Sequence, residues 1–433
     1  MKTINRIKAN LIIGIIMFLT LFPFITNAQS NKCATMQNLN KSIAQNPGLK
    51  QRMLENEEAT RNWIFKNSSS SKLGKGGIIT IPTVVHVIMK DTSINITDNQ
   101  IYSQINVLNK DFRLMNADTL SSQHPFWQFV SDTKIEFCLA KKDPNGNATT
   151  GITRTTTNVS EWGDSNSHNI KSTANGGHDN WNPNQYLNIY VVKLEGKTLG
   201  FATFPDELST SPNLDGVVIR YEAFGTEGEA GTGDFKANNG GRTGTHEVGH
   251  WLNLRHIWGD TVCGNDFVDD TKPAEGSNFN CVTFPHRANN TCGADSNGEM
   301  YMNYMDYVDD SCMNMFTVGQ NIRMQACLNG SRAGLLTSSG CSMPTSLNDI
   351  SFANAVAVFP NPNNGQFTLS VDSKNINSVT ATLIDILGAT VKEFGIVSTG
   401  NSTITLSGVS SGVYYLKVST PNNTTIKKIF VTK

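Results

Sequence analysis

The feature that most constrains this fold is a segment with three histidines, which runs from His246 to His256 as HEVGHWLNLRH. His246 and His250 are four residues apart, so they lie on one face of a helix. A straight helix would carry His256 away from them, so the chain must turn sharply, normally at a residue with positive φ. Asn253 stands at that place, and asparagine is one of the few residues besides glycine that tolerate the left-handed region. The segment predicts a helix that ends in a tight turn and gathers three imidazoles.

Three imidazoles in this pattern predict a catalytic zinc site with His246, His250 and His256 as ligands. Three protein ligands leave the fourth position of zinc open, as catalysis requires, whereas a structural site would normally close with cysteines. Zinc lowers the pKa of its bound water to about 7. Glu247, beside the first ligand, can take the proton of that water and pass it to a leaving amine, which predicts hydrolysis of peptide bonds.

The motif resembles that of the metzincin metallopeptidases, and specifically of the pappalysin family, which has glycine where this chain has Asn253. Downstream, the run from Asn303 to Tyr307 (NYMDY) is similar to the Met-turn of that family. The resemblance covers roughly residues 33–330. It implies that Met305 forms an apolar floor beneath the zinc site. It also implies that Tyr307 helps to stabilise the oxyanion during attack.

This resemblance implies a fold and an activity. The fold is an α/β (α+β) metzincin-like catalytic domain with a mixed, mostly parallel sheet and a zinc-binding helix. The activity is that of a zinc metalloendopeptidase made as a latent precursor. The alternative is a catalytically weak or inactive homologue that acts as an extracellular binding protein. The presence of both Glu247 and Tyr307 argues against it, because a binding protein needs neither.

The N-terminus and the composition predict export. Basic residues precede an apolar run from Leu11 to Ile25, and a small-residue cleavage site ends at Ala28, so residues 1–28 are predicted to be a signal peptide. The formal net charge of −1 favours neither nucleic acid nor an anionic membrane as a partner. We therefore expect a secreted protein without a transmembrane segment in its mature form, with protein or peptide substrates.

Composition shifts divide the rest of the chain into three parts. Residues 29–77 are predicted to be a helical prosegment that ends in a flexible, cleavable Ser/Gly linker. Residues 78–341 hold the zinc motif and several predicted strands, with a helix that begins at an N-cap, Thr97. Residues 352–433 contain short alternating strands separated by turn residues, the pattern of an all-β sandwich.

The C-terminal part resembles the sorting domains of proteins exported by the type IX secretion machinery. The similar features are Phe359-Pro360-Asn361-Pro362, then Asp385 to Gly388, and the ending from Lys427 to Val431. The resemblance implies passage through the periplasm to the cell surface or the medium. A carbohydrate- or protein-binding module is the alternative.

The loop after the zinc motif is a predicted calcium site. Carboxylates, a hydroxyl and carbonyls are clustered between Cys263 and Thr271, and such oxygen ligands suit a hard cation. The resemblance to pappalysins, in which similar loops bind calcium, implies a ligand set of the Asp266 and Thr271 side chains and the backbone oxygens of Asn265 and Asp269. The alternative is a solvated acidic turn.

Eight cysteines follow the predicted signal peptide, and an exported chain can keep disulfides. The family resemblance implies two bridges, Cys263–Cys292 and Cys281–Cys312. Cys327 and Cys341 are close enough in sequence to pair with each other, which leaves Cys33 and Cys138.

Cys33 has two interpretations. The run from Cys33 to Met36 resembles the cysteine-switch region of related prosegments, which implies that Cys33 binds zinc in the latent form. A Cys33–Cys138 disulfide is the alternative.

The sequence also does not decide which residue the specificity pocket accepts. Relatives that cut before Arg or Lys carry an acidic residue just ahead of the position of Cys312. This chain has Ser311 there, preceded by Asp310 and Asp309, so the preference for a basic residue after the cleaved bond stays undecided.

Overall fold

The computed structural model describes residues 32–68, 77–90, 94–343, 352–372, 378–420 and 424–432. The predicted signal peptide and most of the predicted linker lie outside these residues. No helix within the described ranges is long and apolar enough to cross a membrane.

Two helices form the described part of the prosegment, and three more lie in the catalytic domain. Asn46 and Pro47 separate the first two. Thr97 caps the third, since its hydroxyl accepts a hydrogen bond from the Gln100 N–H at 3.2 Å. The helices are α1 Thr35–Gln45, α2 Gly48–Ser68, α3 Asp98–Phe112, α4 Arg242–Trp251 and α5 Val318–Asn329.

A six-stranded sheet forms the centre of the catalytic domain, and it is mostly parallel, as predicted. Strand β1 pairs in parallel with β2, β3 and β4, and β4 pairs in parallel with β6. Strand β5 is antiparallel to β6 and ends the strand order at one edge. The strands are β1 Ile79–Met89, β2 Ile135–Leu139, β3 Ile152–Thr156, β4 Leu187–Val192, β5 Gly200–Ala202 and β6 Val217–Arg220.

Burial explains which strands were predictable. All six residues of β4 and all four of β6 are buried, so these strands are the continuous apolar runs that a covered parallel sheet requires. Strand β3 was not predicted, because its sequence ITRTT is half-exposed and contains one apolar residue.

Helix α4 packs against the sheet and presents the histidine motif to its edge. The main core contains Val248, Trp251 and Leu252 from α4 and its C-terminal end, together with buried residues of β1, β4 and β6. Every residue of α4 is buried. The histidine motif is therefore enclosed by the core of the domain and lies next to edge strand β5.

The C-terminal part forms two antiparallel sheets around a core of its own. One sheet has the order β10-β9-β12-β13 and the other β11-β8-β7, which is the predicted all-β sandwich. Strand β10 was not predicted, because Gly395 and two register shifts interrupt its alternation. The strands are β7 Val356–Phe359, β8 Gln366–Val371, β9 Ser378–Ile384, β10 Thr390–Ser398, β11 Gly400–Thr405, β12 Gly412–Ser419 and β13 Thr424–Val431.

Three disulfides lie in the catalytic domain. Cys263–Cys292 and Cys281–Cys312 are the two bridges that the family resemblance implies. The predicted Cys327–Cys341 bridge is wrong, because Cys341 pairs with Cys138 and Cys327 is a free, buried thiol in α5. The Lys141 N–H donates to the Gly340 carbonyl at 2.8 Å, so the end of the domain lies beside β2. This pairing also removes the Cys33–Cys138 alternative.

Candidate metal centre and active site

The three predicted zinc ligands meet at one point. His250 Nε2 lies 3.1 Å from His246 Nε2 and 3.1 Å from His256 Nε2. Tetrahedral nitrogen ligands of zinc, at about 2.0–2.1 Å from the metal, are separated by about 3.3–3.4 Å. The spacing therefore matches a single zinc ion with only a small adjustment.

The turn that brings His256 back occurs at the predicted residue. Asn253 has a φ of 75°, in the left-handed region, directly after α4 ends. The Leu254 N–H then donates to the Gly249 carbonyl at 2.9 Å, which closes the helix end. The sequence thus places the third ligand by a helix C-cap with asparagine in the role usually taken by glycine.

Each histidine is oriented by an acceptor at its other ring nitrogen. Nδ1 of His246 lies 2.7 Å from the Tyr304 carbonyl, and Nδ1 of His250 lies 2.8 Å from the Leu254 carbonyl. Nδ1 of His256 contacts the carboxylate of Asp260. Because carbonyl and carboxylate oxygens accept, the proton of each neutral ring is on Nδ1 and the Nε2 lone pairs face one another. Three lone pairs that converge on one position fit a bound cation.

Burial favours the neutral form of His246 and His250. Burial and then the neighbouring His256 together lower the pKa of His246 to about 3. Burial also lowers the pKa of His250 well below its usual value, with His256 and His246 adding to the shift. Metal ligation requires the neutral form, so the environment favours binding over protonation.

Cys33 completes the cluster. Its Sγ and one ring nitrogen of each of the three histidines all lie within 4.8 Å of one another. Burial and then the Glu247 carboxylate raise the pKa of the Cys33 thiol well above its usual value. A thiolate at this buried position therefore requires a compensating cation.

Glu247 lies on the same side of the cluster and is occupied by the prosegment. Its Oε2 accepts a hydrogen bond from the Thr35 hydroxyl at 3.0 Å and one from the Cys33 thiol at 3.5 Å. Burial outweighs the lowering by these two hydrogen bonds and raises the pKa of Glu247 to about 8. One oxygen of the predicted base is thus held by two side chains of the prosegment.

The two predicted Met-turn residues lie next to the histidine motif. Met305 is fully buried beneath α4, so close that a Cβ added at Gly249 would lie 2.5 Å from Met305 Sδ. A side chain at Gly249 would therefore have to displace Met305. Tyr307 Oη lies 3.1 Å from His256 Nε2 and donates to the Cys33 carbonyl at 3.4 Å.

The prosegment passes through the cleft along edge strand β5. The Leu199 N–H donates to the Lys32 carbonyl at 2.8 Å, and the Ala34 N–H donates to the Gly200 carbonyl at 3.0 Å. These bonds make a parallel bridge between Cys33 and Gly200. A free sheet edge readily pairs with an extended peptide, so the prosegment occupies an edge that a substrate could use.

The predicted specificity residues separate in the structure. Asp310 is buried beside the pocket that includes Thr243 and Met313, and its Oδ2 accepts from the Gly240 and Arg242 N–H groups at 2.9 and 3.1 Å. Ser311 is exposed, and its hydroxyl lies 3.5 Å from Cys281 Sγ at the disulfide.

Lys32 contacts the same wall of the cleft as Asp309. Its Nζ lies 3.6 Å from Asp309 Oδ1, and it donates to the Tyr307 carbonyl at 2.9 Å. A prosegment cation therefore lies on this side of the histidine cluster, next to the pocket that Asp310 lines.

The predicted calcium loop is compact. Asp266 Oδ2 accepts from the Thr271 hydroxyl at 2.8 Å, and burial raises the pKa of Asp266 to about 6. The side chain of Asn265 turns back on its own loop and accepts from the Phe267 N–H at 2.7 Å. Among the described residues, the histidine cluster with Cys33 is the one group of three or more His, Cys, Asp or Glu side chains that converge on a metal position.

Two residues that contact the site were missed from the sequence. Thr35 blocks Glu247, and also accepts from the Ala202 N–H at 2.8 Å, so it ties the prosegment to β5. Asp260 orients His256 and lies four residues after it. The spacing of a carboxylate four residues after His256 could have identified Asp260 from the sequence. Nothing in the sequence identifies Thr35 until the path of the prosegment is known.

Comparison with known proteins adds independent findings. The family model described as pregnancy-associated plasma protein-A matches residues 171–329, and the model for a secretion system C-terminal sorting domain matches residues 357–432. An extracellular metalloprotease of Pyricularia oryzae is 31% identical over 263 residues, which are 59% of this chain and 77% of the relative. One from Sordaria macrospora is 35% identical over 151 residues, 34% of this chain and half of that protein.

Solved structures agree with these matches. Mature mirolysin of Tannerella forsythia, in complex with a cleaved peptide, is 44% identical with a TM-score of 0.58, covering 63% of this chain and 100% of that one. A promirolysin mutant of the same organism is 42% identical with a TM-score of 0.63, covering 70% of this chain and 97% of that one. The chain therefore belongs to the pappalysin family of metallopeptidases, and it is a secreted member with a type IX sorting domain at its C-terminus.

Proposed function

We propose that this protein is a zinc metalloendopeptidase, made latent by residues 32–68, in which Glu247 is the general base. The observation that carries the proposal is the convergence of three Nε2 lone pairs beside the Glu247 carboxylate. His246, His250 and His256 would hold the metal. Zinc bound there would act as a Lewis acid and lower the pKa of water at the site to about 7.

The side chains around the cluster have distinct roles in this chemistry. Glu247 takes a proton from the attacking water and delivers it to the nitrogen of the leaving amine. Tyr307, beside His256, donates a hydrogen bond to the developing oxyanion of the scissile carbonyl, and the loss of one such donor typically costs about 10²–10³ in kcat. Edge strand β5 aligns the peptide through backbone hydrogen bonds once the prosegment leaves.

Cys33 and Thr35 support a latency mechanism with two parts. Cys33 would fill the fourth metal position, and Thr35 holds the oxygen of Glu247 that must accept a proton. Cleavage in the linker and departure of residues 32–68 would release both blocks together.

The test is cleavage-site profiling on a peptide library with the processed protein. Glu247→Ala should retain zinc at one ion per chain and lose about 10²–10⁴ in hydrolysis, because the general base is absent. Glu229→Ala, which removes an exposed carboxylate, is the matched control and should cleave like the wild type. Equal hydrolysis by Glu247→Ala and the wild type would overturn the proposal.

The same library addresses the P1′ pocket. Asp309 faces a prosegment lysine, and Asp310 lines the adjacent pocket, which supports a basic residue after the cleaved bond. Asp309→Asn should weaken that preference. A library profile without enrichment of Arg or Lys at P1′ would remove this part of the proposal.

A calcium ion in the loop from Cys263 to Thr271 also remains a proposal. The side chains of Asp266 and Thr271 lie together there, as the predicted ligand set requires. Calcium that binds only the folded state should raise the melting temperature. We expect the rise in the wild type and not in Asp266→Asn; identical melting of the wild type with and without calcium would contradict it.

A further inference from the structure

Three arginines surround one aromatic ring beside the metal site. The guanidinium carbons of Arg255 and Arg323 lie 5.2 and 5.4 Å from the centre of the Phe267 ring. Arg61, from prosegment helix α2, lies 5.5 Å from the same centre. Phe267 has a φ of 62°, which is an outlier for a bulky residue and a sign of a functional constraint. Cations so close together repel unless an anion compensates them.

The carboxylate that hydrogen-bonds two of these arginines belongs to the prosegment. Glu57 Oε2 accepts from Arg323 Nη2 at 2.7 Å, and Glu57 Oε1 accepts from Arg61 Nε at 3.0 Å. Arg323 is 2% exposed, and its Nη1 has no hydrogen-bond partner among the described residues. Its Nε donates to the Asn253 carbonyl at 2.7 Å, and this bond fixes the orientation of the guanidinium. Glu57 therefore binds Nη2 of this buried guanidinium, and Nη1 is left without a hydrogen-bond partner among the described residues.

Nearby carboxylates are engaged elsewhere. Asp206 accepts from the Asn56 amide at 2.8 Å, Asp260 contacts His256, and Asp266 accepts from Thr271. No carboxylate in the described ranges lies within ion-pair distance of Arg255.

The arginine pair is continuous with the cleft. The guanidinium of Arg255 also lies 5.7 Å from the centre of the Phe204 ring, and that ring meets His250 edge-on at 5.6 Å. Leu39 and Leu49 of the prosegment cover Phe204. Along the prosegment, Lys32 contacts Asp309, Cys33 then reaches the histidines, and Leu39 and Leu49 cover Phe204 after it. This order assigns the surface that opens at Phe204 to the side of the cluster away from Asp309, which we take as the non-primed side.

We propose that the mature enzyme binds a carboxylate of its substrate between Arg255 and Arg323, so that it favours peptides with an acidic residue N-terminal to the cleaved bond. Glu57 takes the place of that residue in the latent chain. The two Nη atoms of Arg323 can then hold a carboxylate in the bidentate manner. This inference rests on the proposed peptidase function and specifies its substrate class.

The test compares matched peptides that differ by Glu or Gln at one position before the scissile bond. With processed wild-type enzyme, we expect kcat/KM at one such position to be about tenfold higher for Glu, through KM, and to lose this advantage at high salt. Arg323→Lys and Arg255→Gln should each bring the ratio close to one. Arg113→Gln, which removes an arginine paired with Asp132 and Glu136, is the control and should leave the ratio unchanged.

Two measurements keep the outcomes separate. Arg255 makes no hydrogen bond in the described structure, so Arg255→Gln tests the site even if Arg323→Lys disturbs the turn at Asn253. Affinity of the same peptides for the processed Glu247→Ala variant tests the site without hydrolysis. Absence of cleavage with intact Glu-over-Gln binding would count against the proposed function alone. A ratio within about twofold at every position, in cleavage and in binding, would overturn the arginine site.

Discussion

The histidine cluster and the prosegment that covers it are held by different kinds of contact. The three imidazoles are oriented by Tyr304, Leu254 and Asp260, all of the catalytic domain, and this domain is closed by three disulfides. The prosegment is held by a short strand pairing, a small apolar cluster and ion pairs, and its described cysteine, Cys33, is free. The contacts that orient the three imidazoles therefore do not involve the prosegment, so metal binding and latency should be separable by mutation.

The largest expected effect concerns the covalent closure of the catalytic domain. Cys138–Cys341 spans 203 residues, and the double change to serine should lower the free energy of unfolding by about 3–5 kcal/mol, because the unfolded chain regains that loop entropy. Chemical denaturation measures the effect. Cys327→Ala, at the free thiol, is the control and should cost much less. Equal losses in the two variants would contradict the observed pairing.

The second effect separates metal binding from latency. Asp260→Asn removes the charge that orients His256, and loss of such a partner typically weakens metal affinity about 10–100-fold. Competition with a chromogenic chelator measures zinc affinity. Asp309→Asn, on the outer wall of the cleft, should bind zinc like the wild type. Unchanged affinity in Asp260→Asn would show that the cluster does not depend on this residue.

The third effect concerns the prosegment alone. In the uncleaved precursor, Cys33→Ala should raise peptide hydrolysis about tenfold or more, equivalent to about 1.4 kcal/mol, since the fourth metal position opens. Thr35→Val removes one hydrogen bond to Glu247 and should give a smaller rise. Hydrolysis is measured with the linker verified intact. If the Cys33→Ala precursor hydrolyses no more peptide than the wild-type precursor does, latency depends on the rest of the prosegment.

The same contrast explains what the sequence could predict. The ligands, Glu247, the turn at Asn253 and the buried strands follow from local pattern, because spacing on one helix and continuous apolar runs are local properties. Contacts between distant segments do not follow in this way. Thr35 meets Glu247 across 212 residues, and Glu57 meets Arg323 across 266. The error at Cys341 has the same origin, since nearness in sequence was taken for nearness in space.

The smallest expected effect tests Asn253, which stands where the histidine motif of the family has glycine. Glycine at Asn253 should leave zinc affinity and hydrolysis unchanged, because the backbone carbonyl that Arg323 binds is retained and the side-chain amide has no partner in the described structure. Relief of the left-handed strain and the added entropy of the unfolded chain oppose each other, so the free energy of unfolding should change by no more than about 1 kcal/mol. Asn253→Val should lose more, since a β-branched residue is disfavoured at a φ of 75°. Thermal melts and zinc competition on the three proteins decide the matter. A loss of zinc affinity in Asn253→Gly would mean that the asparagine side chain itself supports the turn to His256.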